Sequence, residues 1–343
     1  MIRARGARLG LLCLPRSVAS AVSDARLAEE VGFSLVGVAD SQSVFRELYV
    51  TLALCAQATR RVHVGPSVTN PVTRHPAVAA SAIASVDEIA PGRAFFGIGS
   101  GDSAILNVAE RPATLAGMRA YVDAVRALQT KGDAVWNGRT ARLTWAARMV
   151  PIYLAAEGPR TLELAGEIAD GVIVNVGLAP SLVRDAVAHV HAGARRAGRD
   201  PSAIDLWTLV RANVTDDVAA GIDEIRMELA SNAHHVFRFT LEGKHVPGDL
   251  ADTIRRVQKD YQPAAHEALG PSPNARLLEA EPALCAYLAD RFAAVGPARV
   301  CAEKLRGVVE AGIDGLLVTG FVADRTRLIR ALGEQVLPRV TTR

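Results

Sequence analysis

Aromatic side chains make up only 5% of this 343-residue chain, too few for a surface that stacks nucleic-acid bases. Charge is nearly balanced, with 39 Lys and Arg against 36 Asp and Glu for a net +3. No run of five or more like charges occurs, which argues against a nucleic-acid or membrane surface. The four cysteines, Cys13, Cys55, Cys285 and Cys301, stand far apart and form no CxxC pair. That excludes a disulfide framework and points to a reducing, cytoplasmic setting. The apolar run Leu9–Leu14 stops at Pro15, too short for a signal segment or a membrane span. HExxH, carboxylate clusters and Cys/His ligand spacing are missing, so no metal is expected. GxSxG is missing too, and with it the nucleophile elbow of a serine hydrolase.

What the chain has in quantity is apolar residues, 50% of the total. That is enough for a large core, in a length that suits a (β/α)8 barrel with an insertion. Three passages repeat one grammar of helix end, glycine and short apolar strand. They are Leu27–Phe33 leading into Ser34–Val38, Leu164–Gly171 into Val172–Val174, and Val308–Gly315 into Leu316–Val318. The glycines suit the left-handed position that ends a helix. Continuous apolar strands alternating with helices indicate a parallel sheet buried on both faces.

The same pattern yields eight strands: Leu9–Leu14, Leu35–Ala39, Val62–Gly65, Ala94–Ile98, Ile152–Ala155, Val172–Asn175, Ile204–Val210 and Gly315–Thr319. Helical patterns such as Leu48–Thr59, Ala77–Glu88 and Leu115–Gln129 separate them. Eight such units favour an α/β barrel over an open doubly wound sheet. Trp136–Met149 reads as a small hairpin excursion around Asn137-Gly138. Residues 211–312 form an insertion and helical region between the last two strands, too long for an ordinary connection. Broken at Tyr261–Glu267 and Gly270–Pro273, it is placed to shape the substrate pocket at a barrel mouth.

The densest signal is Val62–Pro76. It begins as a β-branched strand and then places Pro66, Pro71 and Pro76 within eleven residues. Proline removes a ladder donor and fixes φ, so the chain must leave the sheet near Gly65 in a stiff loop. In parallel α/β proteins the C-terminal ends of strands are where ligands sit. Those ends bring together Asp40-Ser41, Ser67–Asn70, Gly99–Asp102, Glu157–Pro159, Asn175–Gly177 and Arg211.

Gly97-Ile98-Gly99-Ser100-Gly101 has the turn of a dinucleotide fingerprint without its GxGxxG spacing. It reads better as a strand end where a ring or backbone comes too close for a Cβ. Glu157–Thr161 opens a helix whose N–H groups could receive an anion, although an ordinary proline-started helix has the same pattern. Among the histidines, His63 reads as packed in a strand and His75 as a local hydrogen-bonding residue before Pro76. His234 and His235 are adjacent and should point to different sides of a helix. His266, beside Tyr261 in the insertion, is the candidate for a substrate-facing general acid.

Taken in order, Ala39-Asp40-Ser41, Thr51–Leu54, Val64–Pro71, Arg74-His75-Pro76, Asp87-Glu88, Pro91–Ala94, Gly97–Asp102, Ile152–Pro159 and Ala165–Asn175 resemble the bacterial luciferase-like superfamily. The match resumes over Ala294–Gly320. Within the superfamily the chain is most similar to deazaflavin (coenzyme F420)-dependent reductases of the methylenetetrahydromethanopterin reductase-like group. The resemblance implies a (β/α)8 TIM barrel forming a single domain over residues 1–343, with a flavin-like ring at its C-terminal face. It implies a non-prolyl cis peptide between Ser67 and Val68, in a bulge that backs the ring. Asp40 would lie near ring and substrate, with Ser100, Gly101 and Asn107 at the polar ring edge. Ala156, Glu157, Gly158 and Pro159 would meet the phosphate, and Asn175 would support the cofactor. The reductases of that group carry a Glu in strand one where this chain has Leu12, which speaks against a pterin substrate.

The expected activity is hydride transfer between C5 of the deazaflavin and an unsaturated organic substrate (C=C, C=N or C=O). Asp40 or His266 would move the accompanying proton. An FMN-dependent monooxygenase using reduced flavin and dioxygen is the alternative. A flavin-binding barrel without catalysis is the alternative of another class. The expected partners are a small organic molecule and a second copy of the chain in a homodimer, with neither nucleic acid nor membrane.

Overall fold

The computed structural model describes residues 7–146, 148–266, 272–319 and 321–341. Glu267, Gly270 and Pro271 of the expected loop, and Gly320, lie outside the described residues. The strands, in chain order, are β1 (Arg8–Cys13), β2 (Leu35–Val38), β3 (His63–Pro66), β4 (Phe96–Ile98), β5 (Asp133–Trp136), β6 (Arg139–Arg142), β7 (Ile152–Ala156), β8 (Gly171–Val174), β9 (Asp205–Val214), β10 (Ala293–Gly296) and β11 (Gly315–Thr319). Eight of them run parallel in the order β3-β2-β1-β11-β9-β8-β7-β4. Bridges from Val64 to Ala94 and from Thr69 to Ile98 bring β3 beside β4 and nearly close the ring. The result is the expected TIM barrel, with all eight expected strands present. β1, β2, β8 and β11 are buried at every position, which is why they read as continuous apolar runs rather than alternating ones.

The excursion after the fourth barrel strand is the antiparallel pair β5–β6. Asn137 (φ 49°) and Gly138 (φ 74°) form its turn, both left-handed as a two-residue hairpin requires. The repeated helix-end glycines hold at two places, Gly32 (φ 94°) and Gly312 (φ 114°). At the third, Gly171 serves a different purpose: a Cβ there would run into the Tyr153 ring on β7.

Two boundaries differ from the sequence pattern. The strand expected to end at Val210 continues to Val214, because β10 lies parallel to its outer half and pairs Ala293 with Arg211 through Gly296 with Val214. β10 escaped notice because its four residues, Ala293-Ala294-Val295-Gly296, are small and carry little strand signal. Within residues 211–312, therefore, the first four belong to β9, and the helix Ala298–Glu310 is the ordinary crossover into β11. The four cysteines are buried and unpaired.

The N-terminal end of the barrel is plugged. Arg8 pairs with Asp205, whose Oδ2 also accepts the Tyr153 hydroxyl at 2.7 Å and the Trp207 indole N–H at 3.0 Å. The opposite end is open.

Candidate active site

A cavity of about 850 Å³ occupies the C-terminal ends of the strands, within the range of pockets that enclose small molecules. Its floor is apolar, formed by Val68, Ala155, Ile173 and Leu209. β3 supplies the floor's irregular edge. The Ser67–Val68 peptide is cis, as the resemblance implied. Around it the backbone switches partners: Ser67 N donates to Val38 O at 2.8 Å on one side, and Thr69 N to Gly97 O at 3.0 Å on the other. Glycine makes this packing possible. A Cβ at Gly37 would collide with Ser67 Cβ, and one at Gly97 with the Pro66 carbonyl.

Asp40, just past β2, is buried and lines the cavity. Its Oδ2 accepts the Thr69 hydroxyl at 2.6 Å and an N–H of Arg74. Arg74 turns its other terminal nitrogen to Glu47 at 2.9 Å. The bonds of the Asp40 carboxylate to the described residues are made through Oδ2. Asn70 follows the same logic. Its Oδ1 accepts the N–H groups of Val72 and Thr73, both at 2.9 Å, fixing the proline loop. The buried Nδ2 then has no partner among the described residues.

On the opposite wall the helix Arg226–Phe237 presents residues that sequence reading did not select. His235 bridges two carboxylates, Nδ1 to Asp102 at 3.0 Å and Nε2 to Glu157 at 3.1 Å. Arg238 binds Asp102 and also donates to Gly101 O at 2.7 Å. Asn175 Nδ2 donates to Glu157 and to Asn232 Oδ1, both at 2.8 Å, and Arg211 donates to Asn175 Oδ1 at 2.8 Å. Asn232 keeps a buried Nδ2 without a partner among the described residues.

The pattern that could have revealed this wall is Ser231, Asn232, His235 and Arg238, which line the cavity and fall at helical spacing in a segment of mixed polarity. His234 stacks on Tyr261 with ring centroids 4.0 Å apart and lies outside the cavity lining, but its Nε2 also comes within 3.8 Å of Asp102 Oδ1, so the adjacent histidines approach the same carboxylate.

The two histidines have opposite electrostatics. Burial works against a charge on His235, but the Glu157 carboxylate and the hydrogen bond to Asp102 outweigh it and push its pKa up to about 9. Burial dominates at His234 and pushes it down to about 4. Asp102 is held well below the usual carboxylate range: desolvation opposes this, and the bond to His235 and the charge of Arg238 overcome it. Glu157 is likewise lowered against its desolvation by His235 and Lys244. Lys244 lines the same cavity as Gly158, the N-cap of the helix Pro159–Ile168 that makes no side-chain cap bond, and its Nζ donates to Val236 O.

Of the residues singled out beforehand, Asp40, Ser67, Val68, Ser100, Gly101, Ala156, Glu157, Gly158, Pro159, Asn175 and His266 all line this one cavity. His266 is oriented through Nδ1, which shares a hydrogen bond with Tyr261 Oη at 2.6 Å. Asn107 is the exception: it follows the short helix Ser103–Leu106 and does not reach the cavity. His63 is half-buried in β3, and His75 caps the helix Pro76–Ile89 by accepting Ala77 N at 3.1 Å. Among the described residues no group of three or more His, Cys, Asp or Glu side chains could hold a metal ion. None of their helices is long and apolar enough to cross a membrane.

A family model described as luciferase-like monooxygenase matches residues 7–315. The chain belongs to this family. It is 38% identical over 204 residues to 5,10-methylenetetrahydromethanopterin reductase of Methanolobus tindarius, a match covering 57% of this chain and 61% of that protein. It is 28% identical over 333 residues to an F420-dependent glucose-6-phosphate dehydrogenase of Nakamurella multipartita, covering 91% and 90% of the two chains. The solved coenzyme F420-dependent tetrahydromethanopterin reductase of Methanopyrus kandleri superimposes with a TM-score of 0.77 at 23% identity, over 98% of this chain and 100% of that one. Such a superposition establishes the luciferase-like barrel.

Proposed function

We propose that this luciferase-like protein is an F420-dependent oxidoreductase that transfers a hydride between the deazaflavin C5 and an unsaturated organic substrate. One observation carries the reading: an apolar floor backed by the Ser67–Val68 bulge belongs to a cavity also lined by Asn70 and Asn232, each with a buried Nδ2 that has no partner among the described residues. A planar ring with carbonyl acceptors on its edge fits that arrangement, because buried donors need partners. F420 dependence of a relative matched over nearly its full length supports the choice of deazaflavin.

In this reading Val68 backs the ring, with Ser67 holding the bulge. Ser100 and Gly101 lie at the ring edge and Asn175 supports it. Ala156, Glu157, Gly158 and Pro159 form the phosphate end, where Lys244 and Arg238 supply positive charge. Bound there, the deazaflavin supplies a two-electron hydride donor or acceptor at C5. Asp40 presents Oδ1 to take or return the accompanying proton, while Thr69 and Arg74 fix its orientation through Oδ2. His266, steadied by Tyr261, is the second proton-handling candidate. Leu12 lines the cavity where, by the resemblance, the pterin reductases carry a carboxylate, which speaks against a pterin substrate. Residues 211–312 reach the substrate through His266 and give the cofactor side Asn232, His235, Arg238 and Lys244, all lining the one cavity.

The reading extends to a cytoplasmic homodimer. Four buried thiols with no disulfide support a reducing compartment. Exposed Val50, Leu54, Val78 and Ile89 on two contacting helices support an apolar face between copies.

The test is anaerobic titration of the purified protein with F420 and with FMN, followed by turnover with and without oxygen. F420 should bind more tightly, and turnover should need no oxygen. Oxygen consumption with reduced FMN would select the monooxygenase alternative. Tight binding without turnover across a broad panel of alcohols, carbonyls, imines and alkenes would select the non-catalytic one.

A further inference from the structure

Four polar side chains lining the cavity admit only one assignment of donors and acceptors. Arg211 Nη1 meets Asn175 Oδ1 at 2.8 Å, and Asn175 Nδ2 meets both Glu157 Oε1 and Asn232 Oδ1 at 2.8 Å. A guanidinium can only donate, and an ionised carboxylate can only accept. The amide oxygen of Asn175 must therefore face Arg211 and its nitrogen Glu157; the group cannot be turned over. The second hydrogen on that nitrogen then requires an oxygen from Asn232. Asn232 is left presenting a donor, its Nδ2, which is buried with no partner among the described residues.

Both amides are thus turned the same way, in the sense Arg211 to Asn175 to Asn232. Hydrogen bonds in such a row polarise one another, and a cation at the head makes the last donor more positive. Arg211 lines the cavity, whereas its ion-pair partner Glu228, 3.6 Å from Nε, does not. The pair turns its positive end toward the cavity.

Resting on the hydride-transfer reading above, we infer that Arg211 is a positioning residue for the cofactor. Acting through Asn175, it fixes Asn232 as a donor to a carbonyl on the ring edge, and the site then holds the reduced cofactor more tightly than the oxidised one. Hydride addition at C5 brings two electrons and one proton to the ring, and the added electron pair settles on the carbonyl-bearing edge. An amide donor gains more from a negatively charged oxygen than from a neutral carbonyl. The bound ring is thereby biased toward accepting hydride from the substrate.

The test compares affinity for oxidised F420, by fluorescence titration, with affinity for reduced F420, by anaerobic calorimetry. No turnover is needed. In the unaltered protein the reduced form should bind about tenfold more tightly, the step from a neutral to a charge-assisted hydrogen bond. For a two-electron couple that factor raises the midpoint potential by about 30 mV. Arg211→Gln combined with Glu228→Gln removes the charge, strands no ion and keeps an amide donor for Asn175. It should bring the two affinities within about twofold of each other, whereas Arg211→Lys, which retains the charge, should keep most of the preference. Asn232→Ala cuts the row at its far end and should abolish the preference too, a result that stands even if the paired variant fails to fold. A packing defect alone would weaken both forms by one factor and leave their ratio unchanged. If neither form of F420 binds the unaltered protein, the oxidoreductase reading falls and this inference with it. If both forms bind but the ratio survives either the paired substitution or Asn232→Ala, the role of Arg211 alone is overturned.

Discussion

Both ends of this barrel bury charge, and they use it differently. At the N-terminal end Arg8, Asp205, Tyr153 and Trp207 bond to one another, and the guanidinium of Arg8 sits 4.8 Å from the Trp207 ring centre. At the C-terminal end Asn70 and Asn232 each spend one polar atom on the protein and keep another free of partners among the described residues. A closed set stabilises the fold; an unfinished set is completed by a ligand. Buried polar groups are normally satisfied, and unpartnered ones occur elsewhere in the molecule too, so the signal at the open end is that incomplete residues there share one cavity.

The two ends should therefore fail in different ways. Asp40→Ala should lower kcat by about 10²–10⁴-fold, the usual contribution of a positioned proton-transfer group, and change F420 affinity far less. Steady-state kinetics beside a cofactor titration separates the two, and unchanged turnover would remove Asp40 from the mechanism. Asp205→Ala should act on stability, costing about 3–5 kcal/mol because it strands a buried guanidinium. Denaturant unfolding measures that loss. The folded fraction should keep its F420 affinity; a loss of binding with no loss of stability would erase the distinction between the ends.

The barrel end that carries the cavity was legible in the sequence, and one of its walls was not. Asp40, the Ser67–Val68 bulge and Glu157–Pro159 sit directly at strand ends, where local pattern and prolines announce a turn. His235 reaches Asp102 across 133 positions of sequence, and no local rule pairs them. β10 was invisible for a related reason, since its role as partner to Arg211–Val214 comes from the tertiary fold and not from its own four small residues. The helical spacing of Ser231, Asn232, His235 and Arg238 was present all along, but nothing in the chain says which wall it faces.

That wall has a pH signature. With its pKa raised from 6.5 to about 9, His235 takes up a proton on folding between those values. Its stabilising contribution is complete below pH 6.5 and disappears as pH rises through 9. Above that, Asp102 and Glu157 flank a neutral ring. Thermal unfolding of the unaltered protein should show a decline across this window that His235→Gln lacks. The same substitution should weaken F420 about tenfold at neutral pH, less than a fully buried pair would give because the imidazole is partly exposed. A decline that persists in His235→Gln would assign the titration to another group.

Asn107 gives the smallest effect and the sharpest distinction between resemblance and geometry. The resemblance puts it at the ring edge, yet here it terminates the helix Ser103–Leu106, with its N–H directed to Ser103 O at 3.2 Å. Its side-chain Nδ2 is buried with no partner among the described residues, outside the cavity lining. Removing an amide that already lacks a partner forfeits no hydrogen bond. Asn107→Ala should therefore leave F420 affinity within about twofold, because the contact it would delete is absent. Asn70→Ala and Asn232→Ala, which delete unpartnered donors at the cavity wall, should each weaken F420 by about tenfold. If Asn107→Ala proved as costly as those two, the loop after β4 must close onto the cofactor when it binds. The unfinished set at the open end would then be one residue larger than the protein alone displays.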